Sequence, residues 1–148
     1  MCKLTNVPLA MREYQKNNNV KGQCVTNVMT LYDILKQNTT FEIKVKSVYV
    51  ISGDNDTCFI CAGHLVIEVE GTICETSYDI YSLKDRLYFD NFKLVLDNIP
   101  SIDKETKKNV LMNYRLFKSY SDRINNGEFF IVDKTYYNKQ IDFIENYK

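Results

Sequence analysis

The stretch His64-Leu65-Val66-Ile67-Glu68-Val69-Glu70-Gly71-Thr72-Ile73-Cys74-Glu75-Thr76-Ser77-Tyr78 reads as a β-hairpin. Its first half, His64 to Val69, is an apolar-rich strand, Glu70-Gly71 is a two-residue turn, and Thr72 to Tyr78 is expected to return as the partner strand. That turn sets the register: Val69 opposes Thr72, Val66 opposes Glu75, and His64 opposes Ser77. Side chains alternate between the faces of a strand, so His64, Val66 and Glu68 share one face with Ile73, Glu75 and Ser77. Glu75 then falls diagonally across from His64, about 7 Å away between backbones by ordinary sheet spacing. A slip of one residue would turn Glu75 to the other face.

The stretches on either side extend the pattern. Upstream, Phe41-Glu42-Ile43-Lys44-Val45-Lys46 alternates like a half-buried strand and Val48-Tyr49-Val50-Ile51 continues as a buried run. Ser52-Gly53-Asp54-Asn55-Asp56 signals a turn, and Cys58 to Ala62 fits another short strand. Further upstream, Asn17-Asn18-Asn19 and Lys21-Gly22 make a polar loop before a helix running from Gln23–Cys24 to about Gln37. Cys24, Val28, Leu31 and Leu35 form its apolar stripe. Downstream, Ser101-Ile102-Asp103 after Pro100 caps a helix that reaches about Ile124, with Val110, Leu111, Tyr114, Phe117 and Tyr120 on its apolar side. Asn125-Asn126-Gly127 stops it. Glu128 to Val132 reads as a strand and Lys139 to Tyr147 as a short terminal helix. An early helix, an antiparallel meander and later helices define an α+β class.

The chain has 148 residues, enough for one domain spanning 1–148 with a real core. Lys+Arg and Asp+Glu both number 19, so net charge supplies no pull toward nucleic acid or anionic membranes, and neither is expected as a partner. No apolar run reaches signal-peptide or membrane-spanning length, which points to a soluble, cytoplasmic protein. The five cysteines are an odd number in such a chain and are expected to be reduced thiols. Heavy use of Lys, Asn, Ile and Tyr, with no Trp, has the bias of an AT-rich genome, viral or otherwise.

Free thiols are available for chemistry. Cys24 opens a helix, where the dipole and the first backbone N–H groups stabilise a thiolate and face a developing oxyanion. The same position on an apolar stripe also suits a plain core cysteine. His64, the one histidine, sits on a strand, which is a rigid mount for a general base and equally a place for a structural histidine. Glu75 is placed by the hairpin to orient the imidazole, with Asp79 one step further on in reserve. Gln23 is the first choice for a second oxyanion donor beside the Cys24 N–H, and Gln15 and Tyr14 are the others. A competing use joins Cys58 and Cys61 to His64 and Cys74 as a Cys₃His zinc site, at a spacing unlike common zinc modules. No metal or cofactor is expected.

Taken together, Gly22-Gln23-Cys24 opening a helix, the strand Tyr49-Val50-Ile51, the run Gly63 to Gly71, and Glu75-Thr76-Ser77 resemble the transglutaminase-like superfamily. That family shares a papain-like core in which a helix-borne cysteine packs against an antiparallel sheet. Its strand resembling H-A-W-V-E-V corresponds to His64–Val69, and its D-P-T to Glu75-Thr76-Ser77. The likeness covers about Gly22 to Asp79 and leaves the additional C-terminal helices aside. It implies a Cys24–His64–Glu75 triad performing thiol-dependent acyl transfer or hydrolysis on a peptide or protein amide, as a protease, amidase, deamidase or transglutaminase. The alternatives are a catalytically inactive protein-interaction domain on the same fold and a small zinc-stabilised module.

Overall fold

A computed structural model describes residues 3–53, 58–91, 93, 104–128 and 132–148. After a short 3-10 turn at Leu4–Asn6 come helices α1 (Val7–Asn17) and α2 (Cys24–Asn38), strands β1 (Ile43–Gly53), β2 (Cys58–Val69) and β3 (Thr72–Cys74), and the single-turn helix α3 (Tyr78–Tyr81). Strand β4 (Leu87–Phe89) and helices α4 (Lys104–Asn125) and α5 (Lys134–Glu145) complete the described elements. The strands form one sheet in the order β3-β2-β1-β4, and β2–β3 and β1–β4 are both antiparallel. The architecture is α+β. Contacts divide the chain into two compact units, one drawn from residues 1–45, 66–82 and 129–148 and the other from 46–65 and 83–128.

In the first unit the hairpin is built as its turn residues dictate. Glu70 and Gly71 both take positive φ, 49° and 82°, the left-handed pair that a tight hairpin needs to match strand twist. Val69 pairs with Thr72, Glu68 with Ile73, and Ile67 with Cys74. The ladder stops there. The return strand was expected to reach Tyr78, but Glu75, Thr76 and Ser77 leave it and Tyr78 begins α3. The pairings of Val66 with Glu75 and of His64 with Ser77 therefore do not form as strand pairs.

Helix α1 has Pro8 in its first turn, where a missing N–H costs nothing. It buries Val7, Ala10, Met11 and Gln15. Helix α2 buries Val28, Leu31, Ile34 and Leu35, and α5 buries Tyr136, Gln140 and Ile144. Helices α1, α2 and α5 pack on one another, and α3 packs on α1. Helix α5 begins five residues earlier than Lys139, because Asp133 caps it by accepting from the Tyr136 N–H at 3.2 Å.

In the second unit, Val48 to Ser52 on β1 are all buried, so that part of the strand is covered on both faces. Tyr49, Val50 and Ile51 pair with Phe89, Tyr88 and Leu87. Helix α4 lies against this sheet: Phe117 stacks on Tyr49 with ring centroids 4.5 Å apart, and Ser47 Oγ donates to Phe117 O at 2.8 Å. Helix and strand come close at Gly63, whose N–H donates to Asn113 Oδ1 at 3.2 Å. A Cβ there would sit 3.1 Å from Asn113 O, Leu116 Cβ and Phe117 N, so only glycine fits without displacement. Tyr114, expected on the buried side of α4, is 42% exposed. The cap at Ser101–Asp103, the turn at Asp54–Asp56 and most of the strand expected at Glu128–Val132 lie outside the described residues.

Candidate active site

Cys24 is the first residue of α2 and is half-buried. Its approach is fixed by Gly22, which adopts φ +69° and donates its N–H to Asp79 Oδ2 at 3.1 Å. Gln23 is the N-cap, and its side chain makes no capping bond to the helix backbone. Gln23 Oε1 instead accepts from Thr26 Oγ1 at 3.3 Å, and Thr26 Oγ1 in turn accepts from the Asp133 N–H at 3.1 Å. One turn beyond Cys24, the buried Asn27 donates through Nδ2 to Ser77 Oγ at 3.0 Å.

Glu75, Thr76 and Ser77 are buried although they have left the sheet. Their polar groups are satisfied in other ways. Glu75 Oε2 accepts from the Ser77 N–H at 3.0 Å, closing a local turn on the carboxylate, and Glu75 O accepts from Arg12 Nη1 at 3.1 Å. Thr76 O accepts from Gln15 Nε2 at 2.7 Å, and the Tyr78 N–H donates to Gln15 Oε1 at the same distance. These side-chain bonds replace ladder bonds, which explains physically why β3 is short. The Thr76 hydroxyl is the exception: it is fully buried and has no hydrogen-bond partner among the described residues. Asp79, the reserve acid, stands in the first turn of α3 and is engaged by Gly22.

Gln15 is thus a correction to the sequence reading. As an oxyanion donor it would need a free N–H, but both amide hydrogens are committed, one to Thr76 O and one to Gln140 Oε1 at 3.0 Å. Gln140 Nε2 donates to Thr30 Oγ1 at 3.1 Å. The Tyr136 hydroxyl lies 3.0 Å from Gln140 Oε1 and also bonds Asn27 Oδ1. Burial, reinforced by Tyr14, Asp79 and Asp133, pushes the Tyr136 phenol well above its ordinary pKa, so it stays a neutral donor. Tyr14, the other alternative donor, stacks against Tyr136 at 6.1 Å and meets Phe143 in a tilted contact at 5.4 Å. This buried network was missed in the sequence. Its signal was faint: Gln15 and Gln140 each fall in a helical apolar period, where a glutamine would otherwise point to solvent.

His64 belongs to the second unit, within the long strand β2 rather than at its start, and is 3% exposed. Its neighbour Gly63 lies close against α4. Cys24, Gln23, Glu75 and Asp79 belong to the first unit.

Arg12 lies with its guanidinium carbon 4.1 Å from the centre of the Tyr81 ring. Cys74 is half-buried as well, and burial raises its thiol pKa more than Arg12 lowers it. Among the described residues no group of three or more His, Cys, Asp and Glu is arranged to hold a metal ion. The side chains of Cys58 and Cys61, needed for the zinc alternative, lie outside the described ones. Among the described residues no helix is long and apolar enough to cross a membrane. Comparison with family models, with curated proteins and with solved structures finds no match to the chain.

Proposed function

We propose that this protein is a cysteine enzyme of the transglutaminase-like, papain-like type, acting on a peptide or protein amide. The observation that carries the reading is the tie between the opening turn of α2 and the segment Glu75–Asp79. Gly22 binds Asp79 and Asn27 binds Ser77, so the helix that starts at Cys24 and the segment that carries the acid form one hydrogen-bonded body. A helix-opening thiol and a buried carboxylate held together in this way are what the resemblance calls for.

In the mechanism that the resemblance implies, the Cys24 thiol gives its proton to His64 and the sulfur attacks the amide carbonyl carbon. The new S–C bond forms as the carbonyl π electrons move to oxygen. Collapse breaks the C–N bond, and His64 returns the proton to the leaving amine. Water or a second amine then attacks the thioester, releasing acid or a new amide and restoring the thiol. The resemblance gives Glu75 the role of orienting His64 and stabilising its cationic form. The N-terminus of α2 supplies partial positive charge to the oxyanion.

The test is acyl-enzyme formation with p-nitrophenyl acetate. A stoichiometric burst of p-nitrophenol, with the acetyl group mapped to Cys24 and lost in Cys24→Ala, is expected. No burst, or acetylation spread over several cysteines, would leave the chain as a non-catalytic interaction domain.

A further inference from the structure

We propose that Gln15 is a positioning residue of the thiol site, acting through Glu75; this inference rests on the enzyme reading above. Gln15 is 1% exposed, and a buried primary amide is retained only where its donors and acceptor are used. Here all are used, and in an informative pattern. Its N–H₂ meets the carbonyl of Thr76 and its oxygen meets the N–H of Tyr78. Those two backbone groups bracket Ser77, and the Ser77 N–H donates to the Glu75 carboxylate. The side chain therefore stands in for the strand that the Glu75–Tyr78 backbone lacks.

Arg12, one turn earlier on α1, holds the Glu75 carbonyl, so α1 grips the segment at Glu75, Thr76 and Tyr78. The second N–H of Gln15 joins this grip to Gln140, from there to Tyr136 and Asn27, and so to Ser77 and the first turns of α2. The bonds form a closed circuit with the Glu75 turn on one side and the helix of Cys24 on the other. A leucine would fill the same volume without the cost of desolvating an amide. What the amide adds is the exact height and tilt of one turn, and the one ionisable group in that turn is Glu75. Helix α5 thus serves the site from behind, through Tyr136 and Gln140, without donating a reacting group.

The experiment is a double-mutant cycle on the full chain. The rate of Cys24 alkylation by iodoacetamide is followed from pH 5 to 9 by peptide mass spectrometry in wild type, Gln15→Leu, Glu75→Gln and the double variant. Gln15→Leu is expected to slow Cys24 near neutral pH on the order of tenfold and to give the profile of Glu75→Gln, as loss of positioning does. In the double variant Gln15→Leu should add nothing further, because both changes remove the same function. If Gln15→Leu lowers the melting temperature but leaves the Cys24 profile unchanged, or if the two effects simply add, Gln15 is structural only and the proposal falls. Should Gln15→Leu not fold, Gln15→Glu decides in its place, because it keeps the acceptor for Tyr78 and loses the donors to Thr76 and Gln140. If wild-type Cys24 itself shows the profile of Cys74, the enzyme reading fails first and takes this proposal with it, whatever the variants do.

Discussion

Replacing Gly63 by alanine sets two opposing terms against each other, and the structure decides between them. Gly63 is not among the residues with positive φ, so alanine meets no conformational strain there and would stiffen the unfolded chain, a gain of about 0.4–1 kcal/mol. Against that, the new methyl would lie 3.1 Å from three atoms of α4. Two of the three are backbone atoms, Asn113 O and Phe117 N, and the third is Leu116 Cβ, which moves only with its backbone. No side chain can rotate away. The helix must retreat by several tenths of an ångström, loosening the Ser47–Phe117 bond and the Tyr49–Phe117 stack. Overpacking of this kind costs about 1–3 kcal/mol. The net expectation is a loss of roughly 1–2 kcal/mol, or about 3–8 °C in melting temperature for a chain of this length. Urea unfolding measures it as a lower midpoint at unchanged slope. A Gly63→Ala protein as stable as wild type, or more so, would refute the close packing of α4 on β2.

Other substitutions probe the first unit. Tyr136→Phe removes the donor that Asn27 Oδ1 and Gln140 Oε1 share and should cost about 1–3 kcal/mol in urea unfolding, the penalty of leaving a buried acceptor unmet. Thr76→Val removes a buried hydroxyl that bonds nothing among the described residues and should leave stability unchanged or raise it by up to about 1 kcal/mol; a clear loss would show that the hydroxyl is used. Stability should also fall in alkali. Burial holds the Tyr136 phenol above its ordinary pKa, and burial with the bond to Asp33 takes Tyr137 to about 12. Both raised values favour the folded state fully below the unfolded value near 10. That contribution is lost as pH rises from there toward 12, because the unfolded chain releases the protons first. Melting temperatures across that window should drop less steeply in the Tyr136→Phe, Tyr137→Phe double variant.

The sequence disclosed those parts of the fold that local chemistry controls. Glu70-Gly71 fixed both the turn and the register of the pairs beside it, since two adjacent left-handed residues permit few other geometries. The apolar stripe of α2 was visible at Val28, Leu31 and Leu35, which are buried, while Cys24 at its start is half-buried. The sequence did not disclose where β3 ends, because that depends on Gln15, sixty-one residues away in the chain from Thr76. Nothing local distinguishes Glu75-Thr76-Ser77 from a strand once Gln15 takes the place of the ladder. The same remoteness hid the buried network: Gln140 and Asn27 look like surface amides until α1, α2 and α5 are packed together. Helix α1 was legible in principle, since Val7, Ala10 and Met11 have helical spacing, but three asparagines and a short apolar count obscured it.

Site-resolved alkylation of Cys24 and Cys74 with iodoacetamide at neutral pH separates an activated thiol from an ordinary one. The two are alike in accessibility, both half-buried, and differ in setting. Cys74 is held toward the protonated thiol by burial. Cys24 stands at a helix N-terminus, worth about 1 kcal/mol to a thiolate, or roughly fivefold in its population, before any imidazole contributes. If His64 is its base, as proposed, Cys24 should react at least about tenfold faster than Cys74, and His64→Ala should bring the two rates together. Equal rates in the wild-type protein, or a Cys24 rate indifferent to His64, would contradict the assignment of this chain as a thiol enzyme.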